Sequence, residues 1–176
     1  MPPNPRVANT DATGRGQRDQ MGPAPLPDRY HGHMPTPDPV LSPAFRAFLE
    51  APHFASVASV DPDGAPRQAV AWYRLEPDGR ILLNSCTPRR WCLNLMERRR
   101  VALSVIDGAD GYRWLGLNAD VEEVIEDVDR ARDDIVALAH RYHPEGPSTS
   151  LIAAFRSQPR VSFLVRITGI HDHLGD

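Results

Sequence analysis

Lysine is absent from this sequence of 176 residues, and all 20 basic side chains are arginine. Without lysine, the chain has no side-chain amine for a Schiff base or for a general base of lowered pKa, so those mechanisms are excluded. Cysteine is scarce as well, because Cys86 and Cys92 are too few for a disulfide scaffold and fit a reduced cytoplasm. No apolar run approaches the roughly 20 residues that cross a bilayer. We therefore expect a cytoplasmic protein with no membrane contact.

The balance of charge excludes a further class of function. The formal net charge is −3, whereas nucleic-acid binding usually depends on a strong basic surplus. Hydrophobic residues make up 41% of the chain, which is enough for one globular domain of ordinary size. The charge therefore argues against a nucleic acid as the partner.

Proline is concentrated at the start of the chain. Ten of the 18 prolines lie in the first 43 residues, among few apolar side chains. Such a segment cannot offset the entropy cost of ordering, so we predict a disordered leader over 1–42. We expect translation to begin at Met34 or Met21. The remaining chain is predicted to form one domain over 43–170, followed by a frayed tail over 171–176.

The pattern of turns and apolar residues within 43–170 is typical of a mostly β fold. Ser42 is a good N-cap for a first helix, and the segments 61–64 (DPDG) and 76–79 (EPDG) read as tight turns. Six strands are predicted, over 53–60, 65–75, 80–86, 101–107, 112–125 and 160–170. Further helices are predicted at about 88–98, 128–141 and 149–156. Short strands with helices confined to a few connections predict a small antiparallel barrel.

The most informative segment is 84–95, which reads NSCTPRRWCLNL. A strand ends here in polar side chains, and Thr87 is predicted to cap the helix that follows. Arg89 and Arg90 then fall in the first helical turn, where the helix dipole disfavours cations. A bound phosphate would resolve this conflict, because helix N-termini and arginine forks both bind phosphate. The alternative is that both arginines are solvated or paired with acidic side chains.

Four segments occur in the order of a known family: 53–66 (HFASVASVDPDGAP), 71–73 (AWY), 84–95 and 99–105 (RRVALSV). Together they make the segment 52–169 resemble the pyridoxamine 5′-phosphate oxidase-like split β-barrel family, and in particular its branch that depends on the deazaflavin coenzyme F-420. The resemblance implies a six-stranded antiparallel split β-barrel that forms a homodimer, with the cofactor at the interface.

The resemblance also implies a set of cofactor-binding residues. The phosphate would be held by the end of the third strand and the following helix, at Ser85, Thr87, Arg89 and Arg90, with Asn94 in support. The ring of the cofactor would be flanked by backbone groups of the second strand, at Gln68, Ala69, Val70 and Ala71. Many family members have a lysine where this chain has Trp91. The substitution removes one positive charge that would bind the phosphate, which weakens the case for flavin mononucleotide (FMN). FMN is therefore expected second to F-420 as the cofactor.

The implied activity is hydride transfer from reduced F-420 to an unsaturated or carbonyl-conjugated small molecule. The cofactor carries the difficult step, so few catalytic side chains are needed. Tyr73 and Arg113 are candidates to protonate or polarise the substrate, with packing or surface roles as the alternative. No metal site is predicted. Two other functions remain open: an FMN-dependent enzyme like pyridoxamine-phosphate oxidase, and a non-catalytic flavin- or haem-binding module.

Overall fold

The computed structural model describes residues 40–175, so nearly all of the predicted leader, with Met21 and Met34, lies outside the described residues. The helices in this range are α1 (Pro43–Glu50), α2 (Arg90–Arg98), α3 (Val128–Tyr142) and α4 (Thr149–Ser157). The strands are β1 (Phe54–Val60), β2 (Pro66–Ala71), β3 (Tyr73–Leu75), β4 (Ile81–Cys86), β5 (Arg100–Ile106), β6 (Trp114–Ile125) and β7 (Arg160–His173). None of the helices within 40–175 combines the length and the hydropathy that crossing a membrane requires.

All of these strands join one antiparallel sheet in the order β2-β1-β5-β6-β7-β4-β3. The two edge strands are consecutive in the chain, because only Trp72 separates β2 from β3. Ala71 pairs with β1, whereas Tyr73 pairs with β4 at the far side of the sheet. Two residues span only about 7 Å, so the sheet must curl until its edges meet at Trp72. This architecture confirms the predicted mostly β, antiparallel split-barrel class.

The prediction of six strands is wrong at one place, since the strand expected over 65–75 is divided into β2 and β3. Within residues 40–175 the sheet therefore has seven strands. The backbone of Trp72 belongs to neither strand. Its ring stacks on the ring of Tyr142 of α3. Glycine and proline, which mark the other turns, are missing from this corner. The break is set by a long-range contact that local sequence patterns do not reveal.

The inside of the curl holds the main core, which includes the fully buried Leu49, Tyr73 and Phe163. A smaller cluster of Leu82, Ile125 and Leu164 lies apart from it, on the strands against which α3 packs. Strand β4 is thus buried on both faces. Because side chains alternate along a strand, residue 84 shares the face of Leu82, and residue 85 shares the face of the core.

The helix starts agree with the sequence except at α2. The Ser42 hydroxyl accepts a hydrogen bond from the backbone N–H of Phe45 (3.1 Å), which confirms the predicted N-cap of α1. In contrast, α2 begins at Arg90, with Arg89 as an N-cap that makes no side-chain hydrogen bond. The predicted cap by Thr87 is wrong because Thr87 and Pro88 lie inside a turn, closed by the N–H of Arg89 and the carbonyl of Cys86 (3.2 Å).

The last strand continues past the predicted domain end at 170. Residues 171–173 pair with Gly116, Leu115 and Trp114 of β6. The ring of Trp114 stacks on that of His173, with centroids 4.1 Å apart and planes 11° apart. Strand β7 therefore extends as far as His173, into the segment predicted as a frayed tail. The ring contact with Trp114 stabilises this end of the strand.

The turn between β1 and β2 offers a direct test of this backbone. Gly64 has a φ of 89°, a conformation that L side chains rarely adopt, although a methyl group there would meet no atom within 4 Å. We expect Gly64→Ala to lower the free energy of unfolding by about 1–2 kcal/mol. The matched control is Gly108→Ala, where the site is equally open and φ is not positive. Urea unfolding of both variants checks the prediction, and equal stabilities would contradict it.

Candidate functional site

The corner between β2 and β3 carries an aromatic cluster. The ring of Trp72 stacks on Tyr142, with centroids 5.2 Å apart and planes at 12°, and meets Phe155 of α4 edge-on at 6.0 Å. The Tyr142 hydroxyl accepts a hydrogen bond from the N–H of Tyr73 (3.2 Å) and donates one to the carbonyl of His53. The corner is therefore held both by ring contacts and by hydrogen bonds to its backbone.

Next to this corner, Asn84 occupies the face of β4 that points away from the core. Its Nδ2 donates to the carbonyl of Ala131 (2.8 Å) and to the Ser162 hydroxyl (2.9 Å), while its Oδ1 accepts from Nη1 of Arg160 (3.2 Å). The amide is 6% exposed. Both N–H groups of Nδ2 and one of the two lone pairs of Oδ1 are used in hydrogen bonds, so the orientation of the amide is fixed.

Arg160, the first residue of β7, is buried although it is charged, with 6% of its surface exposed. Its Cζ lies 4.7 Å from the centroid of the Phe155 ring, and its Nη2 donates to Oε1 of Gln158. The Nε atom is buried and has no hydrogen-bond partner. Burial lowers the pKa of Arg160, the neighbouring Cys86 offsets part of this effect, and the charge of Arg89 lowers the pKa by a smaller amount. The guanidinium groups of Arg89 and Arg160 therefore lie near each other.

The consecutive residues Arg89 and Arg90 lie in two different environments. Arg90 turns toward Asp61, with 3.7 Å between its Nε and the carboxylate Oδ1. For Arg89, no acidic side chain among residues 40–175 lies within ion-pair distance. Arg89 instead lines a cleft beside the corner. Arg90 thus has an acidic neighbour, whereas Arg89 has none among the described residues and lines the cleft.

The cleft has a volume of about 220 Å³ and combines cations with apolar surface. It is lined by Phe54, Val70, Ala71, Trp72, Asn84, Arg89, Trp91, Ile135, Phe155 and Arg160. The lining includes two guanidinium groups and no acidic side chain. Such a surface suits a ligand with an anionic group attached to an apolar ring. The volume falls below the about 300–1,000 Å³ of complete ligand pockets, so this chain supplies only part of the room that such a ligand needs.

Three of the nine residues predicted to bind a cofactor line this cleft: Val70, Ala71 and Arg89. The other two residues predicted on β2 do not. Gln68 is exposed, and Ala69 packs against the core from the opposite face of the strand. Position along the strand accounts for this division, because Val70 and Ala71 are the two residues of β2 nearest the corner, although they lie on opposite faces of the strand.

Of the cofactor-binding residues predicted at the end of β4 and the start of α2, only Arg89 lines the cleft. Ser85 is fully buried beside Cys92, whose thiol pKa is raised to about 11 by burial and held back by the Ser85 hydroxyl. Thr87 lies in the turn before α2, where its N–H donates to the carbonyl of Pro159 (3.1 Å). The structure does not bring these two residues, Arg90 or Asn94 into the lining of the cleft.

Asn94 and Arg90 meet instead at Asp61, the first residue of the turn between β1 and β2. Nδ2 of Asn94 donates to Oδ1 of Asp61 (2.8 Å), and Nε of Arg67 donates to Oδ2 (2.6 Å). The hydrogen bond from Asn94, with smaller contributions from Arg67 and Arg90, holds the pKa of Asp61 below its ordinary value. This acidic hub ties α2 to the turn.

The two predicted catalytic candidates lie elsewhere. Tyr73 is buried in the core, where its hydroxyl donates to the carbonyl of Ala51 (3.3 Å), and burial raises its pKa. Arg113 lies at the hairpin between β5 and β6, where it pairs with Asp107 (3.2 Å). Neither residue is part of the cleft lining.

Six polar or aromatic residues of the cleft were not among the predicted site residues, namely Phe54, Trp72, Asn84, Trp91, Phe155 and Arg160. A signal existed for Asn84, because strand alternation places it opposite Ser85 on β4. Phe155 and Arg160 enter the site through packing between α4, β7 and the corner, which leaves no local pattern.

Comparison with known proteins places these features in a family context. Residues 41–173 match the sequence model of a family described as Pyridoxamine 5′-phosphate oxidase. No curated protein matches the sequence significantly.

Several solved structures share the fold. A protein named F420 Reductase is 29% identical, with a TM-score of 0.62 over 72% of this chain and 94% of that chain. A conserved hypothetical protein from Mycobacterium tuberculosis is 21% identical (TM-score 0.60, 78% of this chain and 89% of that chain). The heme storage protein from Vibrio cholerae is 18% identical (TM-score 0.57, 75% of this chain and 94% of that chain). At these identities, the last two show the fold alone.

The acidic hub predicts how stability depends on pH. Because the pKa of Asp61 is lowered on folding, its carboxylate stabilises the fold at neutral pH, and that stabilisation is lost as the pH falls below about 4. We expect Asp61→Asn to lower the free energy of unfolding at pH 7 and to approach the wild type in acid. Urea unfolding between pH 3 and 7 measures this, with Asp63→Asn of the same turn as control. A constant difference between Asp61→Asn and the wild type would refute the assignment.

Proposed function

Because the chain belongs to the pyridoxamine 5′-phosphate oxidase family, we propose that it is an oxidoreductase that binds a phosphorylated flavin-type cofactor in the cleft at the Trp72 corner. The cofactor is the deazaflavin coenzyme F-420 in preference to FMN. The reaction is hydride transfer from the reduced cofactor to an unsaturated or carbonyl-conjugated small molecule. The family match confirms the resemblance found in the sequence, and the choice of F-420 and of the reaction is the proposal.

One observation carries the proposal: the cleft holds two arginines and no acidic side chain, surrounded by aromatic and aliphatic surface. A ligand that satisfies both parts must carry negative charge next to a largely apolar ring system. A phosphorylated flavin or deazaflavin has this composition. The likeness to the protein named F420 Reductase supports the deazaflavin over FMN.

The residues present fit such a cofactor. Arg89 has no carboxylate partner among the described residues and is available to a phosphate. The ring of Trp72 and the side chain of Val70 supply apolar surface on which a ring can rest. The α2 N-terminus adds unpaired N–H groups, because the helix begins without a side-chain cap.

When bound, the reduced cofactor supplies the hydride. The chain's own residues position the cofactor and shield it from water. Arg89 neutralises the phosphate, which fixes the cofactor at one point of the cleft. Phe54, Trp72 and Ile135 exclude water from the apolar part. The cleft lining contains no titratable side chain other than its arginines, so no acid–base role is assigned to this chain.

The outer face of the sheet supports a homodimer. Phe54 is 53% exposed and Val70 is 73% exposed, and both lie on this face as well as in the cleft. The neighbouring outward residues of β1 and β5 are small, since Ser56 pairs with Ser104 and Ala58 with Ala102. A second copy of the chain packed on this face would bury Phe54 and Val70 and would enlarge the cleft toward the size of a complete pocket.

A haem-binding role is less well supported by the cleft. Protein side chains that ligate haem iron are histidine, cysteine, methionine and tyrosine. None of these is part of the cleft lining in the described part of the chain. The alternative of an FMN-dependent enzyme is favoured by the family's description, and the titration below separates it from the F-420 enzyme.

Fluorescence titration of the purified protein tests the cofactor. We expect micromolar binding of F-420, weaker binding of FMN, and a Kd for F-420 that rises about 10- to 100-fold in Arg89→Gln, because a charge-assisted hydrogen bond contributes about 1.5–3 kcal/mol. Arg90→Gln is the matched control, since its guanidinium lies beside Asp61. Failure of the wild type to bind either cofactor would overturn the proposal, and tighter binding of FMN would favour the alternative enzyme.

Sedimentation velocity tests the dimer. We expect Val70→Glu to shift the protein from dimer to monomer and to weaken F-420 binding, because a buried, unpaired carboxylate is costly. Tyr112→Glu is the control, since Tyr112 is 92% exposed and lies in the hairpin between β5 and β6. A monomeric wild type, or a dimeric Val70→Glu, would contradict the assignment of this face.

A further inference from the structure

The guanidinium of Arg160 is held in one orientation by contacts on several sides. Nη1 donates to Oδ1 of Asn84 (3.2 Å), Nη2 donates to Gln158, and the ring of Phe155 lies against the group at 4.7 Å from Cζ. Nε is the one nitrogen of the group without a partner, and it is buried. Because a guanidinium carries five N–H groups, Nη1 and Nη2 each keep a further N–H beyond the bond they make, and Arg160 is part of the cleft lining.

This arrangement leaves positive charge without compensation. Arg160 and Arg89 both line the cleft, and no acidic side chain within residues 40–175 forms an ion pair with either. A buried charged donor without a partner is costly, and two neighbouring cations increase that cost. The pKa of Arg160 is lowered by burial first and by the charge of Arg89 in addition. An anion between the donors would relieve both effects.

We infer that Arg160 is the second cationic ligand of the cofactor's phosphate, binding through its guanidinium group together with Arg89. Arg160 replaces Arg90 in this role, because Arg90 lies beside Asp61. The inference rests on the proposed function, since it assigns a residue to the phosphate of the proposed cofactor. The anion site is then formed by two elements, the N-terminus of α2 and the start of β7, which are 70 positions apart in the chain (residues 90 and 160).

A chain of hydrogen bonds behind Arg160 sets its direction. Asp134 of α3 accepts from the Ser162 hydroxyl (2.7 Å), and that hydroxyl accepts from Nδ2 of Asn84 (2.9 Å). Because Nδ2 also donates to the carbonyl of Ala131, the amide oxygen of Asn84 must face Arg160. Asn84 and Ser162 are therefore positioning residues, because their hydrogen bonds fix the orientation of the Arg160 guanidinium.

Paired ligands isolate the phosphate contribution. The titrations use F-420 and its phosphate-free deazaflavin, and FMN and riboflavin. We expect Arg160→Gln to raise the Kd of the phosphorylated member of each pair about 10- to 100-fold and to leave the phosphate-free member within about twofold. Arg160→Lys keeps the charge but cannot present a planar fork, so an intermediate loss is expected. The matched control is Arg156→Gln, because Arg156 pairs with Asp133 on the exposed side of α4.

A second measurement needs no variant. In the wild-type protein, the ¹⁵N–¹H signal of Arg160 Nε should shift on addition of the phosphorylated cofactor and stay in place with the phosphate-free ligand. Equal losses for both members of a pair, or an Nε signal that does not respond, would overturn the inference while the cofactor proposal stands. Failure of the wild type to bind either cofactor would instead refute the proposed function itself.

Discussion

The contact between Trp72 and Tyr142 is the constraint on which the rest of the structure depends. One residue separates the two edge strands of the sheet, so the backbone must leave one ladder and join another within a few ångströms. Tyr142 makes this possible because its ring stacks on Trp72 and its hydroxyl bonds to backbone groups of Tyr73 and His53. An unmet buried backbone group would cost about 1–3 kcal/mol. The curl, the cleft and the exposed strand β2 all follow from this corner.

The absence of lysine gives the site a particular chemistry. A guanidinium has a planar fork whose nitrogens can serve different partners at once, whereas an ammonium is a compact point charge. Arg160 shows this property, since its Nη1 and Nη2 atoms donate to two different side chains while the residue lines the cleft. Arg89 and Arg90 also have different surroundings. Arg90 lies beside Asp61 in the acidic hub, and Arg89 lines the cleft with no acidic partner among the described residues.

Most of the strands and all of the helices could be predicted from the sequence, because their signals are local. The turns 61–64 and 76–79, the alternation of β7 and the cap at Ser42 each depend on residues close together in the chain. The corner at Trp72 could not be predicted, since it depends on a ring of α3 that lies 70 positions away. The start of α2 was misplaced because Pro88 also suits the turn before a helix.

The candidate site could be located from the sequence only in outline. The family resemblance pointed to β2 and to the segment 84–95, and the cleft does lie between them. Strand alternation favours Asn84 over Ser85 on β4, whereas on β2 the position along the strand decides, since its last two residues, Val70 and Ala71, both line the cleft. Arg160 and Phe155 come from a distant part of the chain, and only packing brings them to the cleft.

The break between the two edge strands has a consequence for the border of the sheet. β3 has three residues, and β2 begins with Pro66, which has no N–H to offer a neighbouring chain. A very short strand and a proline at the start of a strand are both features that disfavour pairing with foreign strands. The one-residue corner thereby divides what would be one long open edge into two separate pieces.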